Sequence, residues 1–278
     1  MNEERRKQLA KAANQVRKGI IEEVYSAQSG HPGGSLSIAD VMTYLYQEEL
    51  RVDTQDPKWE DRDRLVLSKG HVCPALYAAL AQKGFFPWEE LKTFRRVGSR
   101  LQGHPDLNKA PGVDFTAGSL GQGVSAAAGI ALAGKVTGKD YRVYAILGDG
   151  ELQEGEVWES AMFSAHYKLD NLCYIIDNNG LQIDGNIQDV CSPYPIDEKF
   201  RAFGFEVIVI DGHDFDQIEA AVRQAKTVKG RPTAIIAKTV KGKGISFMEN
   251  KASWHGSAPN AEQYETAMAD LAKIEEVL

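Results

Sequence analysis

The chain has 278 residues, 39 acidic against 32 basic, and a net charge of −7 near neutrality. That length suffices for a full hydrophobic core in one large α/β domain spanning residues 1–278, and the acidic balance, with no dense lysine and arginine arm, excludes a nucleic-acid footprint. No window approaches roughly 18 uninterrupted apolar residues and Met1 to Gly30 has no apolar signal core, so no membrane partner is expected and the chain reads as soluble and cytoplasmic.

In chain order, Leu9, Ala13, Val16, Ile20 and Val24 give Glu3 to Ser26 a helical period, which ends before SGHPGG, a glycine-rich loop. A helix from Ser37 to Glu49 and a short strand from Asp63 to Leu67 follow, then a loop and helix in SKGHVCPALYAALAQKG. Glycine and proline punctuate Arg95 to Gly118, a long loop. Beyond it helices and strands alternate: helix Gly123 to Thr137, strand Tyr141 to Leu147, helix Glu154 to Lys168, strand Leu172 to Asp177. Helix Pro195 to Phe203, strand Glu206 to Ile210, helix Phe215 to Val228, strand Thr233 to Lys238 and a final acidic helix from Ala261 to Leu278 complete the chain. This alternation predicts an α/β fold, a parallel sheet with helices on both faces.

One pair of strand ends carries chemistry. The apolar run YRVYAIL stops at Gly148-Asp149-Gly150, and the next, LCYIID, stops at Asn178-Asn179-Gly180. Both ends belong to the carboxyl edge of the sheet, where open α/β folds bind ligands. A hard cation such as Mg²⁺ takes about six oxygens, commonly a few from protein carboxylate or carbonyl groups and the rest from phosphates and water. Asp149, an Asn amide oxygen and a backbone carbonyl suit a diphosphate-bound ion, although either tripeptide alone is also an ordinary βα turn. Two nucleotide-binding outlines fail: Gly121-Gln122-Gly123 has the wrong spacing for a dinucleotide fingerprint, and the GxxxxGK pattern ending at Lys135 has Val136 where a P-loop needs Ser or Thr.

Four of six histidines lie in loops beside glycine or proline: His31 in SGHPGG, His71 in SKGHVCP, His104 in LQGHPD and His255 in SWHGSAP. Singly each reads as a surface or hydrogen-bonded residue; convergent, they would supply uncharged donors and proton carriers near neutrality. His166 and His213 read as structural. Cys73, Cys173 and Cys191 lack CxxC spacing and point to neither a disulfide framework nor a zinc site.

Taken together, SGHPGGSLS, SKGHVCPALYA, GHPD, GSLGQGVSAAAG, GDGELQEGEVWESA, DNNGLQIDG and KTVKGKG followed by HG resemble the amino-terminal, diphosphate-binding half of transketolase, over nearly the whole chain. The resemblance implies thiamine diphosphate as cofactor and Mg²⁺ or Ca²⁺ as metal, the latter held by Asp149, Asn179 and the Leu181 carbonyl. It implies that Gly150, His71 and His255 contact the diphosphate, that Gly118 and Leu120 approach the aminopyrimidine, and that Asn179 serves both metal and cofactor. His31, His71, His104 and His255 would line the substrate channel, and Glu154 and Glu159 resemble carboxylates linking paired active sites across a dimer.

In enzymes of this kind the glutamate that starts the cofactor's proton chemistry lies on a separate pyrimidine-binding domain, which needs on the order of 150 residues. The expectation is therefore the amino-terminal subunit of a split transketolase, inactive alone. Its partner would be a carboxyl-terminal subunit of about 300 residues, in an α₂β₂ heterotetramer acting on sugar or sugar-phosphate substrates. The alternatives are a split transketolase for a modified ketose such as a sulfosugar or branched sugar phosphate, a 1-deoxyxylulose-5-phosphate synthase-like enzyme, or a non-catalytic binding protein that kept the fold.

Overall fold

A computed structural model describes residues 1–278. Helix α1 (Glu3–Ala27) is capped by Asn2, whose side chain accepts from the Arg5 amide. It leads into two short helices, α2 (Pro32–Ser37) and α3 (Ala39–Tyr44), and a π-helical turn at Leu45–Glu49. Strand β1 (Arg64–Leu67) and helix α4 (Cys73–Lys83) come next, then α5 (Gln122–Val136), β2 (Val143–Gly148) and α6 (Gly155–His166). Strand β3 (Leu172–Asn178) runs into a small antiparallel ribbon, β4 (Leu181–Gln182) with β5 (Gly185–Asn186), and helix α7 (Ile187–Cys191). Helix α8 (Ile196–Ala202), β6 (Glu206–Asp211), α9 (Phe215–Thr227), β7 (Thr233–Lys238) and α10 (Ala261–Val277) close the chain.

The five long strands form one parallel sheet in the order β1-β2-β3-β7-β6. Because side chains alternate along a strand, each strand supplies two cores. Leu65, Leu67, Tyr144, Ile146, Cys173, Ile175 and Ile235 pack on the face covered by α1, α3, α4 and α9. Val66, Val143, Ala145, Leu147, Leu172, Tyr174, Ile176 and Ile236 pack on the other, under α5, α6 and α8. Both faces are thus buried, as the near-continuous apolar strand runs require. No helix is long and apolar enough to cross a membrane.

The glycine-rich segment after α1 departs from the expected loop. Pro32 stands at the first helical position, where its missing N–H costs nothing, and the two glycines that weaken the helix locally are the ones that let it pack. A Cβ on Gly33 would lie 2.7 Å from the Trp254 carbonyl, and one on Gly34 would lie 2.9 Å from Val72. Tertiary packing overrides propensity there. The expected helix from Ser37 to Glu49 is likewise divided into α3 and the π turn.

Candidate functional site

The sheet brings the ends of β1, β2, β3 and β7 to one edge, around a cavity of about 340 Å³ lined by Lys69, His71, Leu120, Asp149, Gly150, Glu154, Asn179, Leu181, Lys241 and His255 among others. Pairing of Gly148 with Asp177 and of Asn178 with Lys238 sets the ends level. Asp149 is buried. Its Oδ1 accepts from the Gly150 amide at 2.9 Å, and its Oδ2 accepts from the Gly180 amide at 2.6 Å and Asn178 Nδ2 at 3.0 Å. Gly180 reaches it at φ +75°, a conformation few side chains tolerate. Burial raises the Asp149 pKa, the Asp177 charge adds to the rise, and the three hydrogen bonds oppose it. A cation at this carboxylate would offset the cost of burying its charge.

Asp177 lies beneath, fully buried. It accepts from Lys69 Nζ, Thr239 Oγ1, Ser37 Oγ at 2.5 Å and Asn179 Nδ2 at 3.1 Å. Burial alone would push its carboxyl up; the Lys69 ammonium and the hydroxyl donors hold it below its ordinary value. Such a buried pair costs about 3–5 kcal/mol to break by removing one member. Because Asn179 spends its Nδ2 on Asp177, its Oδ1 is the atom left to accept, and the Leu181 amide donates to it at 3.1 Å. Leu181 turns its carbonyl to Lys241 Nζ at 3.2 Å.

The donor set is one buried carboxylate, one carboxamide oxygen and one carbonyl, all hard oxygens, and no group of three or more His, Cys, Asp or Glu side chains is arranged to hold a metal ion. That composition fits Mg²⁺ or Ca²⁺ completed by phosphate oxygens and water, and does not fit a soft metal.

The four loop histidines do converge. Ring centroids of His31 lie 5.2 Å from His71, 5.5 Å from His255 and 6.4 Å from His104, and His71 stacks on His255 at 5.1 Å. Burial, then the Arg95 charge, lowers His31 to about 4; burial, then Lys241, lowers His255 to about 3; burial and Lys69 take His71 well down. All three are neutral imidazoles at pH 7. His31 Nδ1 is buried without a hydrogen-bond partner.

Gly118 stands beside His104 outside the cavity wall, where an added Cβ would lie 3.8 Å from the imidazole. Leu120 and Glu154 line the cavity. Glu159 does not: it lies on the outer face of α5 and α6, in a shallow depression with Ser125, Gly129 and Phe163. His213, read as structural, is bonded to Asp40 at 2.7 Å. His166 ends α6 edge-on to Tyr167.

Several site residues are poorly marked in the sequence. Lys241 is buried, with its ammonium 3.0 Å from His255 Nδ1, and its only local signal is a lysine before a glycine in KTVKGKG. Glu151 accepts from Ser68 Oγ and from the Gly121 and Gly148 amides, tying three loops together. Gln182 lines the cavity with a buried Nε2 that has no partner.

The chain is similar in sequence and fold to known proteins. The chain is 48% identical to the 6-deoxy-6-sulfo-D-fructose transketolase subunit SqwG of Clostridium sp. (strain MSTE9), covering 95% of this chain and 96% of that one. It is 42% identical to an apulose-4-phosphate transketolase subunit of Phocaeicola vulgatus, covering 92% and 91%. Its structure superimposes on transketolase from Campylobacter jejuni with a TM-score of 0.91 and 36% identity, over 98% of this chain but 43% of that longer one. Residues 8–272 match the model of the transketolase thiamine diphosphate binding domain, and the chain belongs to that family.

Proposed function

We propose that the chain is the diphosphate-binding subunit of a two-chain transketolase that moves a two-carbon ketol unit from a ketose to an aldose. The observation that carries this reading is the meeting of Asp149, Asn179 and the Leu181 carbonyl with Lys241 and neutral histidines around one cavity. Asp149, Asn179 and Leu181 would hold Mg²⁺ or Ca²⁺, and Gly150, Lys241, His71 and His255 would hold the diphosphate. Glycine at position 150 leaves room for an anion to approach the backbone. Thiamine diphosphate, when bound, supplies the carbanion chemistry, and the protein supplies position and charge. His31 and His104 would hydrogen-bond sugar hydroxyls without adding charge, since an imidazole held neutral both donates and accepts.

The same reading makes residues 1–278 one diphosphate-binding domain whose partner subunit carries the pyrimidine-binding domain, in an α₂β₂ assembly. The relatives matched nearly end to end are both named as transketolase subunits. Met162 and Phe163 on α6 and Tyr167 just after it are exposed near Glu159, an apolar face suited to a second copy. The free Cys73, Cys173 and Cys191 suit a reducing compartment such as the cytoplasm.

The names of those two relatives, one for a sulfosugar and one for a branched sugar phosphate, favour a modified ketose as donor. Calorimetry on the reconstituted enzyme tests the anchor: with saturating Mg²⁺, Asp149→Ala should abolish thiamine diphosphate binding, and unchanged affinity would remove the assignment. Turnover of 6-deoxy-6-sulfo-D-fructose against fructose 6-phosphate separates the two donor classes.

A further inference from the structure

His213 lies after β6, on the turn next to the β7 end, outside the cavity described above and only partly open to solvent. Its Nδ1 is 2.7 Å from Asp40 Oδ2, and its Nε2 accepts from the Val240 amide at 2.9 Å. An imidazole nitrogen that accepts from N–H carries no proton, so Nε2 is the acceptor and Nδ1 is the nitrogen that donates to the carboxylate. Asp40 is itself fixed by Arg17, which donates from Nη1 at 3.1 Å and from Nη2, and both of these charged groups are buried. The turn is equally fixed: the His213 amide donates to Asp211 Oδ1 at 2.8 Å, and a Cβ on Gly212 would lie 2.5 Å from Thr239 Cγ2.

Val240 immediately precedes Lys241. On the far side of that lysine the Gly242 amide donates to the Gly33 carbonyl at 2.9 Å, with Gly242 at φ +78° and a hypothetical Cβ only 2.5 Å from the Met248 carbonyl. The loop is thus pinned by backbone contact on one side of Lys241 and by the His213 ring on the other. Arg17, Asp40, His213 and Val240 form a continuous hydrogen-bonded line ending one residue from the ammonium in the cavity.

We propose that His213 is a positioning residue for Lys241, setting the 239–244 loop so that the lysine ammonium meets the diphosphate. This rests on the reading above that Lys241 faces that anion. A loop free to shift by an ångström would lose the contact, since a point charge held in place binds at lower entropic cost than one that must be ordered.

Two substitutions separate positioning from mere packing. His213→Asn keeps a polar group at the δ position for Asp40 and loses the acceptor at Nε2; His213→Gln keeps an acceptor near the ε position. Binding of inorganic pyrophosphate with Mg²⁺ to the full chain is read by calorimetry, and amide hydrogen exchange is read over residues 239–244. His213→Asn should weaken pyrophosphate about tenfold, the value of one well-made hydrogen bond, and speed exchange at 239–244, while His213→Gln stays within about threefold of the parent. In a Lys241→Met background His213→Asn should add no further loss, because the group it positions is gone. Equal losses for Asn and Gln, a full additional loss in the Lys241→Met background, or unchanged exchange at 239–244 in His213→Asn would each overturn the proposal. Parent-like pyrophosphate affinity in Lys241→Met would instead overturn the reading of Lys241 itself, and the proposal with it. Should His213→Asn fail to fold, His213→Gln carries the decision, since an acceptor-bearing variant that loses affinity tenfold is incompatible with positioning through Val240.

Discussion

Glu23 is fully buried in α1, and neither of its carboxylate oxygens has a hydrogen-bond partner. Burial, then the neighbouring Glu22, raises its pKa well above the ordinary value, so the folded chain keeps it protonated while the unfolded chain ionises it above about pH 4.5. Stability from this group is present in acid and lost as pH rises toward the folded pKa. Replacing it with Leu should stabilise the protein by about 1–3 kcal/mol near pH 8, and by less at pH 4.5, as read by urea unfolding at the two pH values. His31 runs the opposite way. With its pKa lowered to about 4, the unfolded chain takes up a proton on this residue between about pH 6.5 and 4 that the folded chain refuses, so stability falls as pH is lowered through that window. The fall should be shallower in His31→Gln than in the parent when the two unfolding curves are compared across it. Glu23 lies in a segment whose helical character is plain from the sequence, whereas His31 caps α2, a helix where the sequence read as a loop. Their environments are not, because Glu23 and the polar positions around it in α1 look alike until the packing of neighbouring helices is known.

At the scale of elements, the alternation of apolar runs announced every strand of the parallel sheet, because strands buried on both faces read as near-continuous β-branched segments. The ribbon of β4 and β5 left no such trace, being two residues on each side, too short for any period to show. The start of α5 illustrates a tighter constraint. A Cβ on Gly123 would lie 2.6 Å from both Ser68 Cα and Ser68 Oγ, so this helix touches the end of β1 backbone to backbone. Gly123→Ala should therefore destabilise by about 1–3 kcal/mol through overpacking, despite the better helix propensity of alanine. Because Ser68 also donates to Glu151, the same variant should weaken pyrophosphate binding, with thermal unfolding and calorimetry reading the two effects separately. A gain in melting temperature would contradict that close packing.

For the whole molecule, the prediction is of assembly. Mixing the chain with a partner bearing the pyrimidine-binding domain should yield a particle of twice the heterodimer mass by light scattering, and transketolase activity only in the mixture. Activity of the purified chain alone would overturn the two-chain reading. Introducing a charge at Phe163 should halve the particle mass if the exposed α6 face joins two copies, since an unpaired charge is costly at an apolar contact.

The sequence by itself determined the alternating elements, the glycine-flanked carboxylate and amides at two strand ends, and the loop setting of four histidines. Each of those is a local pattern, governed by propensity and period. Only the tertiary structure decided which of them meet. Lys69 reaches Asp177, Thr239 joins them, Lys241 crosses to Leu181, and His213 holds Val240, each pair far apart in the chain. The physical reason is the strand order, β1-β2-β3-β7-β6. It sets the end of β7 beside that of β3 and puts β6 outside it, and no residue pattern within a single element encodes that adjacency.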